Sequence, residues 1–326
     1  MMNKHEQLLR LLLDSEGSDI SGEDISRQLN ISRTAVWKHV NKLRKLGYEI
    51  DASPRLGYRL SRRPEWLQQE ELAAAIDTRR FGQELRVLMT TASTQQVAME
   101  LAESGMAEGL TVLAEEQTGG RGRFGRKWFS PPGKGIWMSI ILRPQQPLQY
   151  TSQLTLLTGV AVCRAIRQCT GVQAEIKWPN DLLVNGRKLC GILLESAVED
   201  QRLRYCIAGI GIDVNMETDD YPEELKKLAT SLRLESGKVI NRTELIAAIL
   251  SELESLYDLY AEQGFTPIAS LWEALSASIG RRIRSVIRGE TVEGTAMGLD
   301  TSGALLLRLD DGQVVPVFSG EIELKP

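Results

Sequence analysis

The chain has 326 residues, of which 42% are hydrophobic and 25% charged, the composition of a globular protein long enough for two or three domains. Its formal net charge is −4, so overall charge alone indicates no nucleic-acid partner. His5 and His39 are the only histidines, and no cysteine pair has C-x-x-C spacing. These counts argue against a histidine-built metal site and against a Ser-His-Asp triad.

The remaining composition predicts a cytoplasmic protein with no membrane partner. The N-terminus, "MMNKHEQLLRLLLDSEG", is too short and too charged for a signal peptide, and no run approaches the ~18 apolar residues of a membrane span. Four cysteines lie in apolar helical or strand-like runs and are predicted to be buried free thiols in a reducing compartment. They are Cys163, Cys169, Cys190 and Cys206.

The charge is unevenly distributed, because residues 27–63 hold ten arginines and lysines but only two acidic residues. A basic block on an acidic protein is typical of a partner with a phosphate backbone. A solvated basic face is the alternative.

The same region has the pattern of a helix-turn-helix. A short amphipathic helix ends at Gly17, and a second helix opens at Ser21 with a capping-box spacing to Asp24. A third helix begins at Ser32 and ends at Gly47. The following "YEIDASPRLGYRL" alternates around a turn, which predicts a β-hairpin, or wing. We therefore predict a winged helix-turn-helix DNA-binding domain over residues 1–63, with a helical protein-docking module as the alternative.

The polar face of the third helix and the tip of the wing carry side chains that donate to phosphates and base edges. The predicted DNA-contacting residues are Arg33, Thr34, Lys38, His39, Lys42 and Arg55.

Residues 64–278 alternate strand-like and helical runs and are predicted to form an α+β domain with a mixed sheet. Asn185-Gly186 between two apolar runs predicts a tight hairpin. Residues 279–326 read as four or five short strands with an Asp311-Gly312 turn, which suits a small SH3-like barrel.

The segment "GGRGRFGRKW", residues 119–128, joins two predicted strands. It lacks the spacing of a P-loop and of a dinucleotide-binding turn. We interpret it as a flexible loop whose cations close over a phosphate and shield a reactive intermediate from water. A mobile surface loop is the alternative, but Phe124 and Trp128 favour a loop that packs on a surface.

Two further motifs, "KWPND" at 177–181 and "GRKLCG" at 186–191, flank the Asn-Gly hairpin, which brings Asp181 near Lys188. A lysine beside a phosphoryl group stabilises the charge of its transition state, and a carboxylate there can bind magnesium or accept a proton. A surface ion pair is the alternative.

"STQQ", "GGRGRFGRKW", "KWPNDLLVNGRKLCGILLE" and "GIGIDVN" occur in this order, and together they resemble bacterial biotin protein ligases of the bifunctional kind that also repress biotin operons. The resemblance covers the whole chain. It implies a class II synthetase-like catalytic domain over residues 64–278, between the winged helix-turn-helix and an SH3-like C-terminal domain over residues 279–326.

The resemblance also implies an activity. Biotin and ATP, with Mg²⁺, would form biotinyl-5′-AMP, and the biotinyl group would pass to a lysine of the biotin carboxyl carrier protein of acetyl-CoA carboxylase. The adenylate-bound protein would form a homodimer on operator DNA and repress genes of biotin synthesis or transport.

The site residues implied by the resemblance fall into three sets. The catalytic residues would be Lys188, Arg123 and Asp181. The biotin-binding residues would be Ser93, Thr94, Gln117, Arg121, Gly122, Arg123, Lys188, Gly191 and Gly209. The nucleotide-binding residues would be Arg123, Arg126, Trp128, Asn180 and Lys188, and no metal ligands are assigned.

Three positions depart from the family pattern. Gln95 and Asp213 stand where asparagine is frequent, and Phe124 stands where an arginine is common. Gln95 keeps an amide one methylene further out, whereas an ionised Asp213 accepts hydrogen bonds but cannot donate them. Three alternatives stay open: a biotin-responsive repressor without catalysis, a lipoate-type ligase, and a nucleotide-dependent enzyme whose N-terminal helices dock a protein.

Overall fold

The computed structural model describes residues 4–15, 17–53, 55–144, 151–199, 202–287 and 290–324. The chain forms two compact units, an N-terminal unit (Met1–Asp77) and a C-terminal unit (Thr78–Pro326). The helices are α1 (Lys4–Asp14), α2 (Gly22–Leu29), α3 (Arg33–Lys45), α4 (Gln69–Ala75), α5 (Thr94–Glu103), α6 (Thr151–Thr170), α7 (Leu232–Ser236), α8 (Arg242–Gln263) and α9 (Thr266–Ala274). The strands are β1 (Glu49–Ser53), β2 (Gly57–Arg62), β3 (Leu85–Thr91), β4 (Thr111–Gln117), β5 (Gly135–Leu142), β6 (Glu175–Lys177), β7 (Asp181–Val184), β8 (Arg187–Glu199), β9 (Arg202–Asp213), β10 (Arg282–Ile287), β11 (Glu290–Leu299), β12 (Leu305–Arg308), β13 (Val314–Val317) and β14 (Ile322–Leu324).

The N-terminal unit has the predicted helix-turn-helix. Ser21 caps α2 by accepting a hydrogen bond from the backbone N–H of Asp24 at 3.0 Å, and Ser32 caps α3 in the same way. Between the two helices, Asn30 adopts a left-handed conformation with φ of 50°. Each helix start is therefore fixed by a side chain that satisfies an otherwise unpaired N–H group, as the sequence predicted.

Strands β1 and β2 form the predicted wing as an antiparallel pair. The wing is joined to the turn before α2 by two backbone hydrogen bonds of 2.8 Å between Ile20 and Tyr58. A Cβ on Gly57 would lie 2.0 Å from the Ile20 carbonyl oxygen, and its φ is 104°. Only glycine fits this close backbone approach.

The compact N-terminal unit extends past the predicted boundary at residue 63, because α4 packs against α1. The buried Tyr48 hydroxyl donates to the Glu71 carboxylate at 3.0 Å, and Arg63 lies 3.3 Å from the same side chain. Leu72 adds a fully buried apolar contact surface. A buried carboxylate needs such partners, and here they hold α4 to this unit.

The C-terminal unit is built on a seven-stranded mixed sheet with strand order β3-β4-β5-β9-β8-β7-β6. Strands β3 and β4 are parallel, and the other neighbouring pairs are antiparallel. Helix α5 packs against β4, β5 and β9, and α6 packs against α8 and β8. Every residue of the interior strand β5 is buried, so this strand is a rigid base for neighbouring loops.

One buried ion pair fixes the start of α8 to the sheet. The Arg242 guanidinium lies 2.8 Å and 3.0 Å from the Glu115 carboxylate oxygens, and it also donates to the Gly135 carbonyl at 3.1 Å. The Arg242 side chain is 6% exposed and that of Glu115 is fully buried. The bidentate geometry supplies partners that two buried charges require.

The last five strands form an antiparallel sheet with order β13-β12-β11-β10-β14, as expected for the predicted barrel. The Asp311-Gly312 turn is closed by a hydrogen bond of 2.8 Å from Leu309 N–H to the Gln313 carbonyl. The Asn185-Gly186 hairpin is also confirmed, with φ of 51° and 77° at its two central residues. Both central residues of the Asn-Gly turn are therefore left-handed, whereas in the Asp-Gly turn only Gly312 is, with φ of 85°.

One thiol was wrongly predicted. The four cysteines are free, but Cys169 is exposed, because it lies in the last turn of α6 after the buried stretch has ended. No helix in the described part of the chain is long and apolar enough to cross a membrane.

Candidate active site

A cavity of about 350 Å³ opens in the C-terminal unit and is lined in part by residues of β5, β8 and β9. It is lined by all the residues predicted for catalysis, biotin binding and nucleotide binding. These are Ser93, Thr94, Gln117, Arg121, Gly122, Arg123, Arg126, Trp128, Asn180, Asp181, Lys188, Gly191 and Gly209. The fold therefore gathers residues that are spread over 117 positions of sequence. Their individual roles stay predictions.

One end of the cavity is a fixed network of uncharged polar groups. The backbone N–H of Thr94 donates to Gln117 Oε1 at 2.9 Å, and Thr94 Oγ1 lies 2.8 Å from Ser139 Oγ. Ser139 Oγ in turn donates to Gln95 Oε1 at 3.0 Å. Ser139 was missed by sequence reasoning, since a serine inside an apolar strand carries no signal of its own. This end suits a ligand with a small polar head that both donates and accepts.

The Gln95 side chain, one methylene longer than asparagine, reaches backbone carbonyls of β8 and β9. Its Nε2 donates to the carbonyl of Leu193 at 3.3 Å and to that of Ile207 at 3.1 Å. A Cβ on Gly209 would lie only 2.4 Å from Gln95 Oε1, so glycine at 209 makes room for the longer amide. The departure at Gln95 is thus accommodated without an unsatisfied buried group.

The glycine-arginine loop, residues 119–128, has hydrogen bonds of its own. The N–H of Gly122 donates to the Arg126 carbonyl at 2.7 Å, and that of Trp128 to the Gly120 carbonyl at 2.9 Å. The expectation that Phe124 packs on an apolar surface is wrong. Its side chain is 70% exposed and contacts the Arg123 guanidinium, 5.0 Å from the ring centroid, because its φ of 57° turns the loop outward there.

Trp128 packs as expected, against the backbone of two strands. A Cβ on Gly191 would lie 2.9 Å from the indole, and one on Gly211 would lie 2.6 Å from its Nε1. The Lys188 ammonium lies 5.2 Å from the ring centroid, a cation–π distance. Gly211 was not predicted as a site residue, although its alternation with Gly209 in "GIGID" was a usable signal. Gly191 on β8 and Gly211 on β9 therefore let the indole approach the sheet backbone closely.

The Lys188 ammonium lies 2.7 Å from Asp181 Oδ1, which confirms the predicted proximity across the hairpin. Their side chains are 37% and 22% exposed, so the pair is half-buried at the cavity wall. A β-bulge between Leu182 and Leu183 shifts the register of β7 and β8 at this point. Bulges commonly redirect a side chain at a functional site.

The C-terminal barrel completes the cavity. Arg123 donates to Asn180 Oδ1 at 3.0 Å and to the Gly320 carbonyl at 3.2 Å, and Arg126 lies 2.6 Å from the Glu321 carboxylate. Burial lowers the pKa of Arg123, but a guanidinium stays charged at neutral pH. Gly320 and Glu321 were missed, because no local sequence pattern tells which strand end of a barrel meets a loop about 200 residues earlier.

Asp213 lies at the end of β9 and also lines the cavity. The residue is 6% exposed, and the Tyr221 hydroxyl donates to its Oδ2 at 3.2 Å. Burial raises the pKa of Asp213 to about 8, and the Tyr221 hydrogen bond and the Lys188 charge oppose this only partly. The carboxyl therefore keeps its proton to a higher pH than an ordinary aspartate does.

The predicted DNA-contacting residues lie in the N-terminal unit. Arg33, Thr34, Lys38, Lys42 and Arg55 are exposed, as a nucleic-acid surface requires. His39 is half-buried and stacks on the His5 ring with centroids 6.3 Å apart. Burial, together with the Lys42 charge, lowers the pKa of His39 and favours its neutral form. Sequence reasoning missed Trp37, which is 55% exposed on α3 beside Lys38.

In the described ranges, no group of three histidine, cysteine or acidic side chains could hold a metal ion.

Comparison with known proteins agrees with this division of the chain. Three family models match: "HTH domain" over residues 4–59, "Biotin/lipoate A/B protein ligase family" over residues 87–213, and "Biotin protein ligase C terminal domain" over residues 278–325. The fold and the cavity thus define a protein of the biotin and lipoate ligase class.

The chain is 46% identical over 319 residues to a bifunctional ligase/repressor of Bacillus subtilis, covering 98% of both chains. It is 32% identical to the bifunctional ligase/repressor of Escherichia coli, covering 98% of this chain and 96% of that one. A solved biotin protein ligase from Aquifex aeolicus, in complex with biotin and ATP, aligns with a TM-score of 0.65 and 30% identity, covering 74% of this chain and 98% of that chain. The chain belongs to the family of bifunctional ligase/repressors.

Proposed function

We propose that this protein is an ATP-dependent biotin protein ligase that also acts as a biotin-responsive repressor of transcription. The observation that carries the ligase is the grouping of Arg123 with the Lys188–Asp181 pair in one cavity that is also lined by an uncharged polar network. Biotin has a ureido head that donates and accepts hydrogen bonds and a carboxylate tail. The ureido ring would lie at Thr94 and Gln117, and the tail would point toward the cations.

In the first step, a biotin carboxylate oxygen forms a bond to the α-phosphorus of ATP, and pyrophosphate leaves. Lys188 and Arg123 would neutralise the charge on the carboxylate and phosphate oxygens, the largest electrostatic barrier to this attack. Trp128 packs over the Gly191 and Gly211 backbone and would exclude water from the biotinyl-5′-AMP that results.

In the second step, the ε-amine of a lysine on a biotin carboxyl carrier protein attacks the acyl carbon of the mixed anhydride, and AMP leaves. The amine must lose a proton as the amide forms. Asp181 is the carboxylate beside Lys188 and is 22% exposed, so an incoming lysine can reach it. Asp181 would orient the amine and take the proton, a general-base role.

Mg²⁺ would enter with the ATP phosphates. The described residues offer few carboxylates near the cavity, which fits a site where the nucleotide supplies most of the ligands. When bound, the ion would add positive charge on the phosphate oxygens that Arg126 and Arg123 approach.

The repressor role is supported by the helix-turn-helix and by the exposed basic face of α3. Two copies would place their recognition helices on a two-fold operator, so we propose that the adenylate-bound form is a homodimer. Carrier protein that consumes the adenylate would release repression, because the ligand favours one association state. We also propose that the protein works in the cytoplasm, which the free thiols support.

The test is the intact mass of an apo carrier domain incubated with the protein, biotin and MgATP. We expect a biotinyl mass increment with the wild type and none with Lys188→Ala. Lys226→Ala, which removes a half-buried lysine paired with the exposed Glu223, is the matched control and should retain the increment. A lipoyl increment in place of a biotinyl one would indicate a lipoate ligase. Tight binding of biotin without any increment would leave a sensor-repressor.

A second measurement tests the N-terminal unit. Binding to operator DNA should strengthen when biotin and MgATP are present and should weaken steeply with salt, since phosphate contacts release counterions. Binding that is absent at low salt would mean that the N-terminal helices dock a protein instead.

A further inference from the structure

Asp213 is an ionisable group inside the cavity to which the proposed mechanism assigns no role. It is 6% exposed and lines the cavity wall beside Lys188 and Tyr221. Ionising a buried carboxyl is costly unless a cation pairs with it. In the described part of the chain, no ion pair joins Asp213 to a basic residue, because Lys188 pairs with Asp181 instead.

Several charged or titratable groups surround this carboxyl. From β8 come Lys188, whose charge favours the ionised form, and the Cys190 thiol, which is fully buried. From the segment after β9 comes Tyr221, whose hydroxyl donates to Asp213 Oδ2. From β5 comes only the backbone of Gly135, directly opposite Asp213 in the sheet.

The next charged groups outward already have partners. Lys134 lies 2.8 Å from Asp220, and Arg187 lies 2.6 Å from Glu235. No described cation therefore stands ready to neutralise an ionised Asp213 except Lys188, which would have to leave Asp181.

A neutral carboxyl resembles an amide in its hydrogen bonding. It presents one O–H donor and one carbonyl acceptor, as an asparagine side chain presents both a donor and an acceptor. The ionised form accepts only and would draw Lys188 from Asp181. It would also add negative charge to a cavity that has to receive phosphates.

We propose that Asp213 is a positioning residue that works as a neutral carboxylic acid, holding Tyr221 and leaving the Lys188–Asp181 pair intact, and that loss of its proton disables adenylate formation. This inference rests on the proposed ligase function for its kinetic consequence, but the protonation state can be tested without it. The raised pKa of Asp213 agrees with the geometry.

The kinetic test compares the pH profiles of biotin-dependent pyrophosphate exchange into ATP for the wild type and Asp213→Asn between about pH 6 and pH 10. The asparagine variant should retain at least about a third of the wild-type rate at the acid end. Above about pH 8 the ratio of wild-type to variant rate should fall about tenfold per pH unit, as a single ionisation requires. Asp213→Ala, which lacks the donor and the acceptor, should be slow at every pH. Parallel profiles for the wild type and the asparagine variant would overturn the proposal.

A spectroscopic test uses the ligand-free protein. The infrared difference between the wild type and Asp213→Asn should contain a protonated carboxyl band at pH 6 that disappears around pH 8. Asp213→Glu provides a second pair should the asparagine variant fail to fold. A carboxylate band at pH 6 would overturn the neutral acid even if the ligase were active. If the wild type showed no pyrophosphate exchange, the proposed ligase function would be overturned. The infrared spectrum would still decide whether Asp213 is protonated.

Discussion

Two sets of basic residues, one on the N-terminal unit and one in the cavity, differ in whether an acidic side chain pairs with them. In the described part of the N-terminal unit, Arg33, Lys38 and Arg55 are exposed and form no ion pair with an acid. In the cavity, Lys188 is paired with Asp181 and Arg126 with Glu321. The first set can bind a phosphate backbone without breaking an ion pair within the protein, since only counterions have to leave. The second set must exchange a protein carboxylate for a ligand oxygen, so its charges are held in place before the ligand arrives.

The largest effect is expected at Lys188. Lys188→Ala should slow biotin-dependent pyrophosphate exchange by about 10²–10³-fold, the loss that follows removal of one transition-state donor. The Lys226→Ala control should exchange at the wild-type rate. A loss below about tenfold in Lys188→Ala would show that this ammonium serves only its ion pair.

The next effect concerns stability. Asp213 has a folded pKa of about 8, against an ordinary value of 3.8, so between these values the folded protein keeps a proton that the unfolded chain has lost. The free energy of unfolding should then fall as pH rises through this window, by about 1.4 kcal/mol per pH unit from this group.

Urea unfolding at pH 5, 6 and 7 checks the sign. The stability of Asp213→Asn relative to wild type should improve as pH rises, because the amide does not titrate. A difference between the two proteins that stays constant with pH would contradict the buried neutral acid.

A smaller effect is expected where the barrel contacts the loop. Glu321→Gln frees Arg126 from its carboxylate, and the KM for ATP should fall about two- to fivefold, the range of an exposed ion pair. Glu323→Gln on β14, two residues further along the chain, removes a carboxylate that faces Arg284 instead; it is the control and should leave this KM unchanged. A rise in KM for Glu321→Gln would mean that Glu321 supports the loop.

The smallest effect is expected on the DNA surface. Lys38→Ala should weaken binding to operator and random-sequence duplex about equally and reduce the salt slope by about one contact. Lys4→Ala, at the start of α1, is the control. An unchanged slope for Lys38→Ala would place the DNA on another face.

Sequence reasoning located the features that have a local physical cause. The serine caps of α2 and α3 and the Asn185-Gly186 turn are set by neighbouring residues, and the site residues sit in short motifs. Features that arise from distant packing were not predicted. The Tyr48–Glu71 hydrogen bond that holds α4 to the N-terminal unit joins residues 23 apart, and Gly320 meets Arg123 across 197 positions.

Two residues, Phe124 and Cys169, are more exposed than their hydrophobic character predicted. Phe124 was expected to pack, but its backbone conformation turns it outward and it contacts only the adjacent guanidinium among the described ring contacts. Cys169 was expected to be buried, but a helix end exposes more of its circumference than its middle does. Local composition does not fix the direction of a side chain at the end of an element.

The most direct test of the account is the exchange of labelled pyrophosphate into ATP by the purified protein. The account predicts exchange that requires biotin, is not supported by lipoate, and is lost in Lys188→Ala but retained in Lys226→Ala. Exchange that proceeds equally without biotin, or equally in Lys188→Ala, would contradict the assignment of this cavity to biotinyl-adenylate synthesis.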